Sequence, residues 1–378
     1  ALAFDSPWPK DGAAPGEIVE RAGIKGAAFQ NGAPRRDVLL ITVDALRGDA
    51  IERTSPLARS ALFFERAYSP SNYTPFSIPA LVLGYIPAAG SDPPGSHTLA
   101  EAFHRGGYQT ELHFTAHEYA SLERTALWPL ASRGFLFGRY RPDYLDATAV
   151  LGSVERTLAE GHGPRFVWAH LSDVHEPFLL RRRAALPGAA CPATYAGQLE
   201  CLLDSLAPWL ERVRARHPDL VWALSSDHGE SLGERGVRYH GSNLFDEQVR
   251  VPLLLGGPGI EPGVHPGPVG NARMGATLLG LAGARLPVRA VVLPRSPSEP
   301  PEPGVLLVCR RERCGLVQGG FKLIASPREG AVALYDLRAD PGETANLVAR
   351  DPAHARRMLA ELPRLGCPFD LSGLMGVF

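Results

Sequence analysis

The chain has 378 residues, 45% of them hydrophobic and 21% charged, and a formal net charge of -1. That length buries a sizeable core in one large domain with an appended unit, and the charge balance attracts neither nucleic acid nor an anionic membrane surface. No apolar run reaches the roughly 18 residues of a membrane-spanning helix, so any pull on an anionic ligand has to come from a local site.

Residues 1–35, rich in Gly, Pro and Ala, read as an extended lead-in. The chain begins at Ala1, which fits a signal peptide or membrane anchor removed upstream. Residues 38–43 (Val-Leu-Leu-Ile-Thr-Val) form a continuous run suited to a strand buried on both faces, and Asp44 follows directly. In the segment 69–79, Thr74 precedes Pro75 and a helical pattern. This predicts a helix start with Pro75 at its first position, a place that binds anions.

Helical patterns follow at 99–106, 146–160 and 195–216, with further buried-strand runs at 166–171, 220–224 and 251–255. Strands alternating with helices predict an α/β fold, a mostly parallel sheet sandwiched by helices. The stretches 107–144 and 179–192, which would select the substrate, show no readable pattern. From 288 the texture changes. A Pro-rich stretch at 294–303 leads to short strands at 305–309, 314–317 and 321–324 and a helix at 353–362, a small C-terminal α+β subdomain. The expected division is therefore a lead-in (1–35), a catalytic domain (36–287) and a C-terminal subdomain (288–378).

Polar residues stand just beyond three of the predicted strands: Asp44, then Asp173 and His175, then Asp227 and His228. Ligands of open α/β sheets bind at that edge. Asp44, Asp227 and His228 offer oxygen and nitrogen to a metal, and Gly229 lets the backbone turn tightly beside them. His240 returns after a Gly-containing loop and could re-enter the same site. Asp173 and His175 are expected on one face of an extended strand end, since alternate residues share a face. A nucleophile at Thr74, at the predicted helix start, could sit against a bound phosphate or sulfate.

Five cysteines show no zinc-type spacing. A disulfide between Cys309 and Cys314 across a hairpin, and one between Cys191 and Cys201, would leave Cys367 over and fit an extracytoplasmic compartment. Free buried thiols are the equal alternative.

In order along the chain, these segments resemble the sulfatase-like branch of the alkaline phosphatase superfamily. They are Asp44 after its strand, Thr74 to Gly84 and Pro87, Asp173-Val-His175-Glu-Pro177, Ser226-Asp227-His228-Gly229-Glu230, Val251-Pro252-Leu253-Leu254, and Leu334-Tyr335-Asp336-Leu337 with Asp340-Pro341-Gly342-Glu343. Formylglycine sulfatases carry Cys or Ser, then x-Pro-x-Arg, at the nucleophile. Here the stretch is Thr74-Pro75-Phe76-Ser77-Ile78, so that aldehyde cannot form. Their adjacent aspartates correspond to Asp44-Ala45, and no lysine (only Lys10, Lys25 and Lys322 occur) lies near a motif.

The set Asp44, Thr74, Asp227 and His228 resembles the metal site of phosphoethanolamine and phosphoglycerol transferases of bacterial envelopes, in which the equivalents of His175 and His240 contact the phosphate or a second metal. The resemblance implies a Zn- or Mn-type site rather than Ca, with one or two ions. It implies hydrolysis of phosphate or sulfate esters through a Thr74 covalent intermediate, with Ser77 the competing nucleophile on the spacing to Gly84 and Pro87, Asn72 helping to neutralise developing charge, and His175 or His240 protonating the leaving oxygen or holding a second metal with Asp173. A lipid- or glycan-directed envelope transferase and a non-catalytic metal-binding relative are the alternatives. The substrate would be a small-molecule, lipid or glycan ester, and the protein extracytoplasmic, with membrane association through an upstream segment.

Overall fold

The computed structural model describes residues 24, 26–30, 35–85, 97–115, 132–139, 146–160, 163–176, 191–288, 290–309 and 311–378. Most of the predicted lead-in, Pro87, Pro177 and most of the two unreadable stretches lie outside them. Nine strands form the main sheet: β1 (Val38–Val43), β2 (Leu62–Tyr68), β3 (Gln109–Phe114), β4 (Phe137–Arg139), β5 (Arg165–Leu171), β6 (Val221–Ser226), β7 (Arg250–Val251), β8 (Leu253–Gly256) and β9 (Gly263–Gly270). Their order is β7-β2-β8-β6-β1-β5-β3-β4, with β9 paired in parallel to β2.

The all-apolar run of β1 is buried on both sides because alternate residues feed different cores. Val38 and Leu40 join the cluster under α1 (Thr74–Leu83), α2 (Leu99–Arg105) and α5 (Met274–Leu281). Leu39, Ile41 and Val43 join the one under α3 (Ala147–Ala159) and α4 (Tyr195–Arg216). That is the helix–sheet–helix sandwich expected of a parallel sheet.

The run at 251–255 behaves differently from the reading above. It is broken at Pro252 into β7 and β8, and β8 runs antiparallel to β6 and β2. After β6 the chain loops through 227–249 without crossing the sheet, so the next strand starts from the same edge and has to run back. This brings Gln248 and Arg250 to the edge that holds the site.

A second, four-stranded antiparallel sheet comprises β10 (Val305–Cys309), β11 (Arg313–Gln318), β12 (Phe321–Ser326) and β13 (Ala331–Asp336), in that order. Its apolar face packs on α6 (Pro352–Glu361). Lys322 on β12 is fully buried and holds this sheet to the segment before β7. Its Nζ pairs with Asp246 and with Glu343 Oε1 at 2.9 Å and donates to Leu244 O at 3.1 Å. Glu343, the last residue of the late motif, also accepts the Asp246 N–H at 2.7 Å.

The disulfides correct one expectation. Cys191 pairs with Cys201, but Cys314 pairs with Cys367, and Cys309 is a free buried thiol. Register explains it: Cys314 lies opposite Val308, and Cys309 opposite Arg313. Adjacent positions on a strand face opposite ways, so Cys314 points into the core under α6 while Cys309 points into the core toward β2. Among the described residues no helix is long and apolar enough to cross a membrane.

Candidate active site

Asp44 leaves β1 into a loop whose backbone is fixed residue by residue. Asp44 N–H donates to Leu171 O (2.7 Å), Ala45 N–H to Asp227 Oδ1 (3.3 Å), Leu46 N–H to Ser226 Oγ (3.0 Å) and Arg47 N–H to the Tyr195 hydroxyl (2.9 Å). Two of those acceptors lie at the end of β6, so the loops after β1 and β6 set one another's position. Ala45 is held at φ 61°, a left-handed conformation that costs an L-residue about 1–2 kcal/mol. The Arg47 guanidinium clamps the same loops from outside, bonding both Asp49 oxygens at 2.9 Å, Glu230 O at 2.7 Å and Glu234 Oε1 at 2.8 Å.

Asp44, Asp227 and His228 are all buried, and their ligand atoms lie within 4.8 Å of one another. His228 Nε2 stands 3.4 Å from Asp44 Oδ1 and 3.4 Å from Asp227 Oδ2. Its Nδ1–H donates to Gly229 O at 2.9 Å; that bond fixes the tautomer and turns the Nε2 lone pair toward the carboxylates. Burial pushes His228 well below the usual imidazole range; His240 lowers it further, the Gly229 bond opposes, and His175 and His170 add smaller pushes in the same direction. A neutral imidazole lone pair facing two carboxylates is a mutually repulsive set unless a cation lies among them, so the donors fit a divalent metal. Gly229 is needed for space rather than for its φ: a Cβ there would meet Glu247 O at 2.3 Å.

Thr74 is the first residue of α1 and Pro75 the second, one place later than the sequence suggests, with Tyr73 as the uncapped N-cap. Thr74 Oγ1 lies 3.0 Å from His228 Nε2 and is partly open to solvent. Ser77 is fully buried, donates to Tyr73 O at 3.2 Å and lies 3.4 Å from Asp227 Oδ2. The helix start offers an anion little besides the Thr74 N–H. Pro75 has none, and Phe76 and Ser77 donate to Tyr73 O.

His240 returns to the site as expected. Its ring centroid is 4.1 Å from that of His228 and 5.3 Å from that of His175. Nδ1 of His240 is held by Glu230 at 3.2 and 3.3 Å, and Nδ1 of His175 by Glu176 O at 2.6 Å. Asp173 and His175 do not share a strand face, because the chain turns at once after Leu171 and His175 N–H closes the turn onto Ser172 O. Asp173, expected beside the substrate, is drawn instead to the start of α3, where both its oxygens accept the Ala147 N–H at 3.0–3.1 Å. Asn72 is likewise spoken for: its amide nitrogen bonds Asn243 O and Gln248 Oε1 (2.9 Å).

Sequence reasoning missed Glu230 as the anchor of His240, although it stands inside the motif two residues after His228. It also missed Gln248, whose buried amide ties together the chain around His240. Oε1 accepts from Ser242 N and Asn243 N at 3.2 Å, and Nε2 donates to Ser231 Oγ, Tyr239 O and Ser242 Oγ at 2.7–3.1 Å. No local signal marks such a residue, since its partners are spread from 72 to 243.

Fold and site together define an α/β protein with a buried Asp–Asp–His centre beside a helix-borne threonine, at the carboxyl edge of a mostly parallel sheet. The sulfatase family profile matches residues 36–284, and the chain belongs to the sulfatase family. It is 35% identical over 158 residues to the choline-sulfatase of Rhizobium meliloti (38% of this chain, 30% of that protein). It is 28% identical over 185 residues to a delta 4,5-hexuronate-2-O-sulfatase of Bacteroides thetaiotaomicron (44% of this chain, 38% of that protein). In both cases the match spans well under half the length of the curated relative. The phosphonate monoester hydrolase of Agrobacterium radiobacter shares the fold, with a TM-score of 0.64 at 17% identity over 88% of this chain and 95% of that one.

Proposed function

We propose that this chain is a metal-dependent hydrolase of phosphate or sulfate esters in which Thr74 is the nucleophile. The observation that carries the reading is the convergence on His228 Nε2 of Thr74 Oγ1 at 3.0 Å and of Asp44 and Asp227 oxygens at 3.4 Å. Asp44, Asp227 and His228 would hold the cation, with the imidazole favouring Zn or Mn over Ca. When bound, a divalent ion supplies a lowered hydroxyl pKa and a polarised ester.

This chain's own residues do the rest. The first turn of α1 holds the Thr74 oxygen, its proton released to solvent, for in-line attack on phosphorus or sulfur, which breaks the bond to the leaving oxygen and leaves the group esterified to threonine. With Nδ1 engaged by Glu230, His240 has Nε2 left for the leaving oxygen and protonates it. His175, with Nδ1 engaged by Glu176 O, presents its own Nε2 to the substrate oxygens. Water then releases the group from Thr74; release to an acceptor alcohol would make the same centre a transferase of the kind its Asp227–Gly241 loop resembles. Residues 36–287 carry this centre and 288–378 complete it. The two disulfides fit an extracytoplasmic location, which we also propose.

Metal-stripped protein reconstituted with Zn, Mn or Ca, and assayed on nitrophenyl phosphate, a nitrophenyl phosphodiester and nitrophenyl sulfate, tests the reading. Turnover restored by Zn or Mn and reduced by roughly three or more orders of magnitude in Thr74→Ala is expected. Undiminished turnover in that variant would remove Thr74 from the mechanism.

A further inference from the structure

A groove of about 380 Å³ lies between the 242–245 stretch and the C-terminal sheet. Three arginines line it, Arg235, Arg311 and Arg313, against one carboxylate, Glu329. Arg313 is committed to Glu329 and to Ser242 O. Arg235 is committed to Glu247 at 2.7 Å and Gly342 O at 2.6 Å, and lies 3.8 Å over the Phe245 ring. Arg311 is exposed, and among the described residues no carboxylate pairs with its guanidinium.

The turn that carries Arg311 is built against the catalytic centre. Two residues earlier, the buried Cys309 Sγ lies 3.5 Å from Asn72 Nδ2 and 3.8 Å from Gly241 O. Asn72 stands two positions before Thr74, and Gly241 directly follows His240. On the same strand Val308 N–H donates to Pro70 O at 2.8 Å, and Ser71 bridges to Val308. The β10–β11 hairpin is therefore fastened to both chain segments that supply the reacting groups, and its tip opens onto the groove next to them.

We infer that this groove receives the alcohol portion of the ester and that Arg311 pairs with a second anionic group on it. The inference rests on the hydrolase reading for the identity of the ester. The apolar side chains of Leu244, Ile324 and Val332 in the lining suit the carbon face of a sugar-sized group. Glu329 and Glu247 balance Arg313 and Arg235, so the net positive charge is that of Arg311, whose guanidinium offers the planar fork that matches a carboxylate, sulfate or phosphate. The substrate class is then an ester that bears another fixed negative charge on its alcohol side, rather than a simple neutral alcohol ester.

Equilibrium binding to the full-length Thr74→Ala protein, which keeps the ester intact, tests this. Three probes suffice: a monosulfated disaccharide with a uronate carboxylate, the same compound with that carboxyl reduced to an alcohol, and a counterpart with a second sulfate in its place. At least one doubly anionic probe should bind roughly tenfold tighter than the reduced one, and the two charged arms show which anion is taken. In Thr74→Ala/Arg311→Ala that preference should vanish, and Arg311→Lys should keep part of it. Equal binding of charged and reduced probes, no binding of any, or a preference that survives Arg311→Ala would each overturn the inference. Because binding needs no turnover, an inactive wild-type enzyme with the preference intact would refute the hydrolase reading and leave the subsite standing.

Discussion

Replacing Gln248 by leucine should loosen the site without touching a metal ligand. Its fully buried amide meets six polar atoms through one oxygen and one nitrogen. Ser242, Asn243 and Tyr239 are partly or largely exposed and can turn to water. The Asn72 amide and the Ser231 hydroxyl are buried and cannot. Two buried groups losing a partner cost about 1–3 kcal/mol each, or about 2–6 kcal/mol together. Gln248→Glu keeps the acceptor but sets a buried carboxyl against Tyr239 O and should cost at least as much. Urea unfolding of the metal-free proteins reads the difference. Turnover of the metal-loaded enzymes should fall with it, because the freed segment carries His240. A Gln248→Leu protein within about 1 kcal/mol of wild type would show that the network is incidental.

Three other perturbations follow from the geometry. Glu230→Gln should leave substrate binding nearly intact and lower kcat about 10–100-fold, because a group that aims another acts through it; steady-state kinetics separates the two, and a pure KM effect would reject the role. Lys322→Met should cost about 3–5 kcal/mol by leaving the buried Glu343 and the partly buried Asp246 without their cation, read by chemical denaturation, with partial recovery when Glu343→Gln is added. Cys314→Ser opens a loop closed over 53 residues and should cost about 4 kcal/mol, whereas Cys309→Ala keeps both disulfides and should lose stability on reduction as wild type does, a loss that Cys314→Ser should largely lack.

The parts of the site readable from sequence are those fixed locally. Asp44, Asp227 and His228 follow strands whose unbroken apolar runs give away both burial and direction, and strand ends are where such sheets place ligands. Thr74 shows itself by the proline after it. What escaped reading depends on distant contacts or on turns. The strand β9 (Gly-Val-His-Pro-Gly-Pro-Val-Gly) has a composition that argues against any strand, yet it pairs along β2 with a register shift between His265 and Pro268. The turn after Leu171 separates Asp173 from His175, and a one-residue difference in register sends Cys309 and Cys314 to opposite faces. Glu230 and Gln248 look like ordinary polar residues until the 229–248 excursion folds back on itself.

The contact between Pro70–Ser71 and Val308 joins positions 237 residues apart. A chain made from its N-terminus folds its early parts first, so the sandwich around β1, β5 and β6 can form while the nucleophile segment still lacks the strand that steadies it. The segment bearing Thr74 is thus steadied only once the stretch around Val308 has emerged. On the hydrolase proposal, a ribosome-bound fragment ending before residue 305 would carry Asp44, Asp227 and His228 yet stay silent, because the segment bearing Thr74 would still lack its contact with Val308.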